Sequence, residues 1–99
     1  MATSSSSDYY IIRTDRAGVF FARIKSRRPK HNSIVLADAR KIWRWSGANS
    51  VEDIAVAGID PASHVTRVVP EIEVYAPCQV IRCTEAAAAC IAAIREWHA

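Results

Sequence analysis

Asp38-Ala-Arg-Lys-Ile-Trp-Arg-Trp-Ser-Gly-Ala48 packs two tryptophans, two arginines and a lysine into eleven residues. How this run is placed decides the rest of the fold. Its composition suits an extended segment, and Ser46-Gly47 supplies the turn that ends it. A strand alternates its side chains, so Lys41, Trp43 and Trp45 share one face and Arg40, Ile42 and Arg44 the other. Both faces carry charge. That places the strand near an edge or an interface and leaves open which face is buried.

On the N-terminal side, Tyr9–Thr14 is aromatic and β-branched and reads as a strand. Asp15-Arg-Ala-Gly18 is a tight turn, and Val19–Arg27 is the second arm of a hairpin. Period two puts Phe20, Ala22 and Ile24 on a core face. Val19, Phe21, Arg23, Lys25 and Arg27 make a second face that begins apolar and ends as a basic ladder. Arg28-Pro-Lys-His-Asn32 is a loop, and Ser33–Leu36 a short buried strand before the central run.

On the C-terminal side, Ser50-Val-Glu-Asp53 has the form of a capping box and predicts a short helix that Gly58 stops. His64–Val69 and Glu71–Tyr75 read as extended runs divided by Pro70, which implies an edge or a bend. Ile72 and Val74 point inward, with Glu71, Glu73 and Tyr75 outward. Cys78–Cys83 is a further strand. Thr84 caps a last helix expected to run from Glu85 to about Trp97, with Ala87, Cys90, Ile91, Ile94 and Trp97 as its apolar stripe. The sum is a small α+β domain. About six short strands form a mostly antiparallel sheet, and of two helices the C-terminal one packs on it. Residues 1–8 read as a flexible polar lead-in and 9–98 as one domain.

Charge is divided unevenly. Residues 1–45 hold ten Lys and Arg against three Asp, and residues 46–99 three Arg against seven acids. Such a split fits a basic face for an anionic partner, or two halves or subunits that complement each other. The nine-residue run Ala86–Ile94 is too short to span a bilayer, so no membrane is expected. Three cysteines without paired spacing argue against a disulfide framework or a zinc site, and for a reducing cytoplasm. His31, His64 and His98 form no motif with the cysteines, and no Gly-rich phosphate loop is present. No catalytic residue, metal ligand or cofactor is therefore expected, and the protein reads as a non-enzyme. Glu71 and Glu73 share a strand face, where salt bridging is the common role of such a pair.

The central run carries the binding case. Guanidinium groups grip phosphates in pairs of hydrogen bonds, and an indole face stacks on a base. Arg40, Trp43, Arg44 and Trp45, extended by Arg23 and Lys25 of the basic ladder, are the candidate contacts for an anionic, nucleotide-like ligand. The bland alternative makes the tryptophans core and pairs the arginines with Glu71 and Glu73.

In order along the chain stand Ile12-Arg-Thr14, Ala17-Gly-Val-Phe-Phe21, Leu36-Ala-Asp-Ala-Arg-Lys-Ile-Trp-Arg-Trp-Ser-Gly-Ala48, Val69-Pro-Glu-Ile72 and Ile81-Arg-Cys-Thr-Glu-Ala-Ala-Ala88. This pattern, above all Ala-Arg-x-Ile-Trp-x-Trp-x-Gly-Ala, resembles a family of small phage and prophage proteins, a domain of unknown function. The loop around Arg28–Asn32 is longer than the turn usual there. The resemblance implies a viral gene expressed in bacterial host cytoplasm, and no catalytic residues. Small phage proteins of this kind act mostly by binding. The first expectation is an oligomeric binding protein, in its sharpest form a counter-defence protein that sequesters a nucleotide-like immune signal. The second is a virion or assembly component, with a host or phage protein as partner. The third is an accessory single-stranded nucleic-acid binder.

Overall fold

A computed structural model describes residues 8–97; residues 1–7 of the serine-rich lead-in, His98 and Ala99 lie outside the described residues. The strands are β1 (Tyr10–Thr14), β2 (Val19–Arg28), β3 (Ser33–Arg44), β4 (His64–Val65), β5 (Val69–Tyr75) and β6 (Pro77–Arg82). The helices are α1 (Val51–Ala57) and α2 (Glu85–Ala92). All six strands belong to one sheet, and every pairing in it is antiparallel. The fold is α+β.

The connection from β5 to β6 gives the sheet its shape. Only Ala76 separates them, yet β5 pairs with β3 and β6 with β1, on opposite margins of the β3–β2–β1 meander. The sheet must curl until its margins meet. Ala76 makes the joint: its N–H donates to Asn32 O (2.8 Å) and its carbonyl accepts from Asp15 N–H (3.1 Å). It sits at φ 55°, in the left-handed region. Bends in β2 and β3 help the curl. Their register slips between Phe21 and Arg23, where β3 carries Asp38 at φ 51°, and again between Ile24 and Ser26. Extra residues of this kind bend a strand and increase its twist.

Curling gives the sheet an inside and an outside, and both are apolar. Ile12, Phe20, Ala22, Ile34, Leu36, Ala39 and Val74 fill the inside, contributed by strands alone. Ile11, Val19, Phe21, Ile42 and Val65 face outward and are covered by Ile54 and Ala55 of α1 and by Ile91 and Ile94 at α2. This is why β2 is apolar on both faces at its start.

Ser50 caps α1 as the sequence predicts, while the returning carboxylate bond goes one residue further back than a capping box places it. Asp53 N–H donates to Ser50 Oγ (3.2 Å), and the Asp53 carboxylate accepts from Asn49 N–H (3.3 Å). Gly58 ends α1 at φ 83°, its N–H donating to Ile54 O. Thr84 caps α2 through Ala87 N–H.

Four expectations are corrected. Ser33–Leu36 and the central run are one continuous strand, because Asp38 bends the chain without breaking it. The division in 64–75 falls at residues 66–68, and Pro70 lies inside β5. An edge strand tolerates proline because one side of its backbone needs no donor. Helix α2 ends at Ala92 instead of Trp97, because a buried arginine takes its last carbonyls. Trp97 accordingly leaves the helical stripe; its N–H donates to Val65 O (3.0 Å) along the margin of β4.

Candidate functional site

The candidate residues separate into three groups. Arg23 and Lys25 stand on β2 and are neutralised there: Arg23 pairs with Asp38 and Lys25 with Glu71. Arg28 completes the row with Glu73 at 3.8 Å, and Ser33 Oγ donates to the same carboxylate at 2.6 Å. The basic first half and the acidic second half thus meet across β3 at Lys25–Glu71 and Arg28–Glu73. Exposed pairs of this kind add little stability, but they reduce the free charge that the ladder offers an anion. Arg23 pairs with Ala37 of β3, on the order of 20 Å of strand away from Trp43.

Arg40 points to the helices. It is only 5% exposed. Its Nε donates to Thr66 O (2.9 Å), and Nη1 to Ile91 O (3.1 Å) and Ala92 O (3.4 Å). The Ile91 and Ala92 carbonyls lie in the last turn of α2, where Ile91 O also accepts from Ile94 N–H (3.2 Å) and the helix dipole favours a cation. Burial lowers the Arg40 pKa from its ordinary value, and nearby Glu96 acts against that shift. The expectation that Arg40 contacts a ligand is therefore corrected, since its guanidinium is held inside the protein as a helix cap.

Trp43, Arg44 and Trp45 remain at one end of β3. Ile42 pairs with Val65 and Arg44 with His64, so Trp43 is an extra residue in a bulge. Bulges re-aim side chains, and this one sets Trp43 against His64 at 4.7 Å between ring centroids. Trp97 completes the cluster, edge-on to Trp43 at 5.2 Å and stacked on His64 at 4.5 Å. Trp43 and Trp97 keep 45% and 44% of their surface exposed. Trp45 does not share Trp43's face. The strand has ended, and its ring is half-buried against the helix-covered cluster.

A cavity of about 260 Å³ opens beside this cluster, lined by Arg44, Trp45, Ser46, Ala62, Ser63 and His64. Ser63 Oγ is held by Ser46 N–H at 3.2 Å. His64 Nδ1 is buried and has no hydrogen-bond partner among the described residues. The structure thus joins Arg44 and Trp45 to His64, and through His64 to Trp43 and Trp97. Sequence reading missed His64 and Trp97. The clue to His64 was its place in the first extended run after the helix, which had to return beside the central strand.

Other chemistry is sparse. Burial pushes the Cys83 thiol up to about 12, which keeps it protonated and inert. Among the described residues no three His, Cys, Asp or Glu side chains gather to hold a metal, and no helix is long and apolar enough to cross a membrane.

No curated protein and no solved structure matches the chain. Residues 7–91 match a family described as a domain of unknown function, DUF6948. That match takes in the whole curled sheet and nearly all of α2, and the protein belongs to the DUF6948 family.

Proposed function

We propose that this is a phage-encoded, non-enzymatic, oligomeric binding protein that sequesters a nucleotide-like anion. In its sharpest form the ligand is a signal of host immunity and the protein acts in the host cytoplasm. The reading is carried by the cavity that joins Arg44 and Trp45 to His64 beside the exposed Trp43–Trp97 pair. A phosphate fits the polar cavity, where Arg44 supplies charge and the Ser46 and Ser63 hydroxyls supply hydrogen bonds. A base fits the tryptophan surface, where stacking contributes about 1–3 kcal/mol per ring. The phage assignment rests on the resemblance carried by Ala39–Ala48.

Native mass spectrometry on protein purified from a bacterial host tests the reading. The expected result is a discrete oligomer with a small bound mass that disappears in Arg44→Ala and Trp43→Ala. A clean oligomer that stays bare with added nucleotides removes the proposal.

The exposed Val56, Val68, Tyr75 and the two tryptophans support a second reading, a virion or assembly component with these side chains between subunits. That reading requires the protein at stoichiometric levels in purified particles. A single-stranded nucleic-acid binder would instead show affinity falling steeply with salt.

A further inference from the structure

The outer edge of β5 is unoccupied. β3 pairs with one side of it only, and among the described residues no other backbone hydrogen bond involves positions 69–75. β1 stops at Thr14 opposite Pro77, so no strand continues its line beside β5. The turn between β1 and β2 passes there instead, leaving a seam in the curled sheet. Two adjoining cavities of about 350 and 370 Å³ occupy this seam and share Ala17, Phe20 and Ile72. One is walled by the consecutive residues 72–76; the other runs on to Ala39, Lys41 and Val69. Successive strand residues point to opposite faces, so a cavity that meets the last four residues of β5 in a row lies along the strand's edge.

We infer that this seam binds an extended segment of a partner protein, added as a strand beside β5. Backbone groups of β5 supply the hydrogen bonds, and the cavities over Phe20 and Ile72 take alternate apolar side chains. β5 spans about 23 Å, room for a segment of seven residues. Its charged side chains do not guard the edge, because Glu71 and Glu73 are paired with Lys25 and Arg28 across β3. At one end Lys41 is exposed, and its ammonium has no hydrogen bond or ion pair among the described residues. The segment therefore carries an acidic residue at that end. The opposite rim, with Asp15, Arg16 and Glu73, is mixed in charge and selects no sign. A second copy of this chain is a poorer occupant. Its β5 and β6 edges are parts of a curled sheet whose inward side chains already fill its own interior.

A random seven-residue peptide library panned on the full-length protein tests this. The expected winners alternate apolar residues and carry an acid at one end. Lys41→Glu lowers their affinity about fivefold. N-methylation of alternate peptide amides lowers it more than tenfold. Amide exchange slows at alternate positions of β5 when a winner binds. Ala17→Trp plugs the seam and abolishes binding, and the surface change Lys41→Glu decides the matter should that variant fail to fold. Absence of enrichment, or winners indifferent to Lys41→Glu and to N-methylation, overturns the inference. So does concentration-dependent protection of β5 without peptide, which would make a second copy the occupant.

Discussion

The two apolar clusters are closed by different means. The outer one is covered by helices, so it is sealed by side chains: Ile54 and Ala55 from α1, Ile91 and Ile94 at α2, and Arg40 fixing the end of α2. The inner one is closed by the path of the backbone, with Ala76 joining the margins. The contrast teaches why one side is tight and the other open. Helices can be fitted over a surface along their length, whereas a single kink closes a curled sheet at one point and leaves a seam beyond it.

The strongest way to break this contrast is Ala76→Pro. Proline holds φ near −65°, against the observed 55°, and it deletes the N–H that donates to Asn32. The expected loss is about 4 kcal/mol in urea unfolding. Far-UV signal from the helices should outlast the near-UV signal of Tyr10, which packs on the inner cluster. Simultaneous loss of both signals would mean that the two clusters are one cooperative unit.

Gly58→Ala attacks the other seal. A Cβ there would lie 2.8 Å from Cys90 Sγ and 3.0 Å from Cys90 Cβ, at a backbone φ of 83°. Helix α1 would be pushed from α2, for about 3 kcal/mol. Trp45 fluorescence should report it, since that ring packs on the outer cluster. An unchanged urea midpoint would show that the helices can slide apart without loss.

Arg40→Ala should lower stability by about 2 kcal/mol, since it takes the guanidinium donor from the carbonyls of Thr66, Ile91 and Ala92, of which Ile91 O keeps the Ile94 N–H. Arg44→Ala, four residues on and exposed, should change stability by less than about 0.5 kcal/mol. Equal effects would contradict the separation of a structural arginine from a binding one.

These neighbours also show what the sequence makes legible. The alternation across Arg40, Lys41 and Ile42, up to the bulge at Trp43, was readable, as were the caps at Ser50 and Thr84 and the inward pair Ile72 and Val74. Those signals are local. Which face of the run is buried was not readable, because Arg40 finds its acceptors 51 and 52 residues away, on a helix. The curl was hidden for a related reason. Asp38 and Ala76 hold positive φ with side chains that give little warning of it, Ala76 least of all. The last helix looked longer than it is because Ile94 and Trp97 continue the spacing. Ile94 does stay buried, but Trp97 joins Trp43 and His64, a cluster assembled from three separate segments that no spacing rule could gather.

The mildest prediction tests how dry the helix-covered cluster is. Cys83 packs against that cluster, and burial raises its thiol from 9.0 to about 12. In the unfolded chain the thiol ionises near the ordinary value, while in the folded chain it keeps its proton. The folded state therefore holds more protons between pH 9 and 12, and stability falls as pH rises through that window. The contribution is fully present below pH 9 and should shrink by up to about 1 kcal/mol by pH 10. Urea unfolding at pH 8 and pH 10, for the wild type and for Cys83→Ala, isolates the term because every other titrating group is common to both. The wild type should lose more stability than the variant. Identical losses would mean that water reaches Cys83, and that the outer cluster is no better sealed there than the inner one is at its seam.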